Sequence, residues 1–135
     1  MKNILMLLGF CVLGALAGTA VMYGYSKLSS GDDHLQVKHG DFSGQYAQAG
    51  SQVILFGTST CPYCKQAREL FAANKTRYRD YVIDKDEAAQ SKFRGIQEKY
   101  SIQSVPVVLI GDTLVVGFDK DRYMDELHRA KLAGP

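Results

Sequence analysis

A chain of 135 residues with 16 basic and 14 acidic side chains, net charge +2, has room for one compact domain and little more. Its charges are interspersed, with no basic face of the kind that nucleic acid requires. Three cysteines, Cys11, Cys61 and Cys64, are too few for a disulfide-stapled scaffold.

The first element in chain order is apolar. Ile4 to Tyr25 are 22 residues without a charge. As a helix rising 1.5 Å per residue they span about 33 Å, against a hydrocarbon core of roughly 30 Å. Residues 1–25 are therefore expected to be a membrane anchor, or a signal peptide with Ala15-Leu16-Ala17 as its small-x-small cleavage site. The apolar run continues past that site through Val21, Met22 and Tyr23, which favours the uncleaved anchor. The amino terminus and Lys2 before the run, against Lys27, Asp32 and Asp33 after it, favour a cytoplasmic N-terminus, so the following domain is expected outside the cytoplasm. That is the periplasmic side in a bacterium; a cleaved leader would instead give a secreted domain. Cys11 follows Phe10 and lies within the run, so it reads as a small apolar residue rather than a lipid attachment point.

Residues 26–50 are polar and contain glycine, and read as a linker with a short helical turn near Phe42 to Ala49. Its histidines, His34 and His39, match no compact zinc spacing with the later cysteines. The domain proper is expected over 51–135. QVILF, residues 52–56, suits a buried strand. From Cys64 to Ala73 a helix is expected, with Cys64, Ala67, Leu70 and Phe71 on one face. Arg79 to Asp84 forms a second strand. Glu87 to Tyr100 forms a polar helix with Ala88, Phe93, Ile96 and Tyr100 inward, and Asp84 to Glu87 its solvated entry. Val107 to Ile110 and Thr113 to Val116 are strands joined by the two-residue hairpin loop Gly111-Asp112. Asp121 to Lys131 is a final helix with Tyr123, Met124, Leu127 and Ala130 inward and Asp119 as its N-cap. The order β-α-β-α-β-β-α gives an α/β fold with a four-stranded mixed sheet. Helices between the first strands imply right-handed crossovers and parallel pairing, and the hairpin adds an antiparallel edge. An apolar N-terminal helix precedes it.

Cys61-Pro62-Tyr63-Cys64 falls between the first strand and the first helix of this domain. Pro62 suits the first helical position, where a missing N–H costs nothing. The free N–H groups and positive dipole end of a helix start favour a thiolate on Cys61. Cys64, one turn on and deeper, can reach the Cys61 sulfur. The pair thus divides into an attacking and a resolving thiol. As a structural staple it would close too small a loop to matter. A proline opening an internal strand, Val105-Pro106, is unusual. In cis at the mouth of a dithiol site, it would leave backbone groups free to pair with an extended substrate.

FGTSTCPYC and SVPVVLI together resemble the glutaredoxins, within the thioredoxin fold, over about Ser51 to Lys131. The resemblance implies a thioredoxin-like fold and thiol–disulfide exchange with glutathione as co-substrate and no bound cofactor or metal. Protein disulfides or glutathione mixed disulfides would be the substrates. It implies Cys61 as nucleophile, Cys64 as resolving thiol and Pro106 as a cis proline. It puts Pro62, Tyr63 and the Val105 backbone against glutathione, and Phe118, Asp119 and Lys120 near its γ-glutamyl end. Many glutaredoxins carry a base three residues before the first cysteine; here Thr58 stands there, leaving Lys65 to meet the glycine carboxylate. Asp119 could bind the ligand's amine or merely cap its helix. PVVLIGDTLVVGFDKDRYMDEL looks closer to glutaredoxin-like redoxins, a branch that includes donors to ribonucleotide reductase. Two rival functions of another class are an iron–sulfur cluster shared between two subunits with added glutathione, and a chaperone for soft metal ions.

Overall fold

Five consecutive buried residues, Val53–Gly57, form the strand around which the sheet is assembled. The computed structural model describes residues 35–133; the apolar segment, Cys11 and His34 lie outside the described residues. Among the described residues no helix is long and apolar enough to cross a membrane. The elements are β1 (Gln36–His39), α1 (Ser43–Ala49), β2 (Val53–Gly57), α2 (Pro62–Ala73), β3 (Arg79–Val82), α3 (Glu87–Tyr100), β4 (Val107–Ile110), β5 (Thr113–Val116) and α4 (Lys120–Arg129). The strands form one sheet in the order β1-β5-β4-β2-β3.

Side chains alternate along each strand, so the sheet has two apolar faces. Ile54, Phe56, Val107, Leu109, Leu114 and Val116 pack with Phe42, Phe93 and Ile96 on one side. Val53, Leu55, Val108, Ile110 and Val115 pack with Ala67, Phe71, Tyr123 and Leu127 on the other. The inward alanine of α3 is Ala89, not Ala88, which is exposed. Two adjacent alanines give periodicity nothing with which to choose between them.

The sheet has five strands rather than four, because the stretch expected as linker supplies β1 and α1. β1 pairs antiparallel with β5, from Gln36 opposite Val116 to His39 opposite Thr113. Phe42 is 1% exposed, its ring 5.6 Å from that of Tyr100. At Gly40 an added Cβ would come within 2.7 Å of the Tyr100 hydroxyl oxygen, so a larger residue would have to displace the end of that side chain. β2 and β3 are parallel as expected, but β4 runs antiparallel to β2, with Val107 opposite Phe56. Residues 101–106, able to reach about 20 Å when extended, return the chain to the end of the sheet where β2 finishes. β4 must therefore run back. The hairpin at Gly111-Asp112 stands as expected, with Gly111 at φ +58°. The second strand ends at Val82 rather than Asp84. The last helix spans Lys120–Arg129 rather than Asp121 to Lys131.

If residues 36–49 belong to the fold, Phe42→Ala should cost about 3–5 kcal/mol, the usual loss for a buried phenylalanine. A linker position would change stability by within about 0.5 kcal/mol. Denaturant unfolding of the two proteins distinguishes these outcomes.

Candidate active site

Five chain segments meet at the end of the sheet where β2 stops: the loop after β2, the start of α2, the segment after β3, the start of β4 and the turn from β5 into α4. Cys61 is the N-cap of α2, and Pro62 is its first residue. The Cys61 backbone is extended and its sulfur accepts the Cys64 N–H at 3.2 Å, a bond that strengthens when the sulfur carries charge. The helix therefore begins two residues before the expected Cys64. Cys61 is partly exposed and Cys64 fully buried, and both are free thiols. Burial foremost, then hydrogen bonding to Cys61, pushes the Cys64 thiol up to about 12.

The Cys64 sulfur has room only because residue 57 is glycine. A Cβ there would stand 2.9 Å from Cys64 Sγ and 3.0 Å from its Cβ. On the same ground lies Arg68, whose Nη2 is 3.4 Å from that Cβ position. Arg68 donates from Nε and Nη2 to the two Asp80 oxygens at 2.7 and 3.2 Å, and from Nη1 to the Thr58 carbonyl at 3.2 Å. The loop is pinned a second time by Asp84, which accepts the Ser59 N–H at 2.8 Å and also the Ser59 hydroxyl. These bonds from Ser59 hold the Asp84 carboxyl below the usual carboxylate range. Asp84 is thus an anchor of the cysteine loop and not merely part of the entry to α3. Asp86 caps that helix, accepting from the Ala88 and Ala89 N–H groups.

The Val105–Pro106 peptide is cis, and the Pro106 carbonyl accepts the Gly117 N–H at 2.8 Å. The sheet ladder starts one residue later, at Val107 opposite Phe56, leaving the Val105 backbone outside it. Tyr63 is 58% exposed, the exposed large apolar side chain among the described residues. Phe118 packs edge-on against Tyr123 at 5.5 Å, and the Tyr123 hydroxyl donates to the Gly117 carbonyl at 2.6 Å. Asp119 caps α4 by accepting the Arg122 N–H at 2.7 Å, and Lys120 follows it, exposed. Lys65 points to solvent and pairs with Glu69 at 3.7 Å. The expected site residues Cys61, Cys64, Pro62, Tyr63, Val105 and Pro106 therefore gather at one pole, with the Phe118–Lys120 turn on its flank. Gly57, Arg68, Asp80 and Asp84 were not expected there. No local pattern marks them, since each acts across a long sequence separation. Among the described residues no three His, Cys, Asp or Glu side chains converge to hold a metal ion.

Residues 53–115 match the glutaredoxin family model. Over those residues the chain is similar to the glutaredoxins. A glutaredoxin-like 8.6 kDa protein of the rubredoxin operon of Clostridium pasteurianum is 27% identical over 68 residues, covering 50% of this chain and 87% of that protein. The crystal structure of a glutaredoxin from Archaeoglobus fulgidus aligns with TM-score 0.54 and 28% identity, over 61% of this chain and 91% of that one. A buckwheat glutaredoxin–glutathione complex aligns with TM-score 0.54 and 21% identity, over 67% of this chain and 91% of that one, a likeness of fold. The fold is thioredoxin-like α/β.

The two thiols should differ sharply toward a small alkylating reagent. A raised thiol value favours the protonated form, so the stability linked to Cys64 is full below the ordinary cysteine value and is lost as pH climbs toward about 12. At neutral pH the reagent should modify Cys61 at least about tenfold faster than Cys64. Peptide mass mapping of a time course checks this, and equal labelling would contradict it.

Proposed function

We propose that the chain is a dithiol thiol–disulfide oxidoreductase that uses glutathione as its reductant. The observation that carries this reading is the asymmetry of the cysteines: Cys61 partly open at a helix start, Cys64 buried one turn behind it. The Cys61 thiolate attacks one sulfur of a substrate disulfide and forms a mixed disulfide, releasing the other sulfur as thiolate. Cys64 then loses its proton and attacks Cys61. The bond to substrate breaks, its electron pair leaves with the substrate sulfur, and a Cys61–Cys64 disulfide forms. Two glutathione thiols restore the dithiol and leave as glutathione disulfide, so two electrons pass from glutathione to substrate.

The surface around Cys61 supports a thiol peptide as ligand. Exposed Tyr63, two residues after Cys61 in the chain, and the Val105 backbone, left outside the ladder, would contact it, and the start of α4 would offer N–H groups and Lys120 to a carboxylate. Asp119 spends one carboxylate oxygen on its own helix, which supports the capping role for it. Lys65 is held only by an exposed ion pair, weak enough to yield to a ligand carboxylate. Residues 1–25 tether this domain to a membrane with the active pole outside the cytoplasm, a reading that rests on the uncharged run of 22 residues.

Cys61→Ser should abolish reduction of every disulfide substrate. Cys64→Ser should lose protein-disulfide reduction while retaining attack on glutathione mixed disulfides and accumulating an adduct on Cys61. Equal loss in both assays would contradict the division of labour. Thr58→Lys should lower the half-saturating glutathione concentration by about tenfold or more, the worth of one charge-assisted contact. An unchanged value would remove the carboxylate contact from this account. For the tether, a periplasm-active reporter fused after Lys27 should be active, and a cytoplasmic one silent; the reverse would refute the orientation.

A further inference from the structure

Cys64 has no exposed surface, so its chemistry depends on the groups that face it. These are Cys61 at the cap of α2, Arg68 from α2 itself, the Thr58 backbone from the loop after β2, and Tyr123 from α4, with Asp80 of β3 bonded to Arg68. Among them Arg68 is the one cation. Its guanidinium cannot swing away: all three of its nitrogens are committed, to both Asp80 oxygens and to the Thr58 carbonyl. That commitment leaves Nη2 and the Cys64 sulfur against the same point on Gly57, at 3.4 and 2.9 Å from where its Cβ would be. An arginine on a helix surface would ordinarily be solvated, but this one is about three-quarters covered.

We propose that Arg68, clamped by Asp80, is a positioning residue for the resolving step, supplying the fixed positive field in which buried Cys64 becomes a thiolate. The proposal rests on the dithiol reading above. In that step the Cys64 proton leaves to water, the Cys64 thiolate attacks Cys61 Sγ, and the Cys61–substrate bond breaks with its electron pair on the departing sulfur. Burial opposes that ionisation, and a nearby fixed cation works against the burial. Arg68 is charged at any working pH, and its charge favours the thiolate where burial opposes it. Asp80 has two opposed effects. It fixes the fork in place, and its own negative charge weakens the field that the fork exerts. Arg68 and Asp80 therefore have substitution effects of opposite sign, which a scaffold pair would not show.

The test separates the two chemical steps with an aryl disulfide that releases a coloured thiolate. Cys61 attack releases the first equivalent, and Cys64 attack on the resulting mixed disulfide releases the second. Arg68→Gln should lower the ratio of the second rate to the first at neutral pH and move the pH midpoint of the second release up. Each unit of midpoint shift changes the thiolate fraction tenfold, and the accompanying change in nucleophilicity returns part of it, leaving about threefold in rate. Asp80→Asn, which keeps an oxygen for the fork and removes the opposing charge, should move the midpoint down and raise the ratio. A folded Asp80→Asn protein whose midpoint rises or stays put overturns the proposal, whether or not Arg68→Gln folds. A normal first release with a second release indifferent to both substitutions overturns this proposal alone. Absence of the first release in the unaltered protein would overturn the dithiol reading itself and this proposal with it.

Discussion

The Cys64 sulfur sits against bare backbone at Gly57, in a space that a single added carbon would fill to 2.9 Å. Much of the candidate site follows from that contact. It draws the first turn of α2 down onto the end of β2, which leaves Cys61 at the rim as the helix cap rather than inside the domain. It also takes Cys64 out of water, which makes one thiol of the pair hard to ionise while its neighbour stays open to substrate. The division between attack and resolution is thus a packing property of the β2–α2 junction as much as a property of the cysteines.

The surrounding chain is arranged to hold that junction still. Asp84 grips the loop through Ser59, and Arg68 grips it through the Thr58 carbonyl. The Pro106 carbonyl accepts from Gly117, tying the start of β4 to the end of β5, while Tyr123 ties that same glycine to α4. At the opposite end of the sheet a second polar cluster closes the fold: buried Glu126 accepts from Thr113 at 3.1 Å and pairs with Arg129, which also reaches Asp112 at 2.8 Å. The two poles are built differently. The far pole satisfies its charges internally, whereas the cysteine pole keeps backbone and side-chain groups facing outward.

Most of the α/β core was legible from residues 51 onward. Apolar runs and strong helix periodicity placed β2, α3, β4, β5 and their hairpin, and the Cys-Pro-Tyr-Cys spacing placed the site. What was not legible depended on distant partners. QVKH at β1 has one strongly apolar residue and gains its pairing only from β5, so by local pattern it looked like linker. Phe42 and Tyr46 are two aromatics in a polar stretch, and Phe42 meets Tyr100, 58 positions later, only in the folded chain. Arg68 and Asp80 each resemble solvated charges in their own segments; only the α2–β3 packing joins them. The antiparallel run of β4 was hidden for a related reason, since a crossover segment has no residue that signals at which end of the sheet it delivers the chain.

The ordered relay from Cys61 to Cys64 is observed most directly by rapid-quench mass spectrometry of the reduced protein mixed with glutathione disulfide. A glutathione adduct should appear first on Cys61, then decay as a Cys61–Cys64 disulfide grows in with the same rate constant, with no adduct on Cys64 at any time. A first adduct on Cys64, or an adduct on Cys61 that persists while no internal disulfide forms, would contradict it.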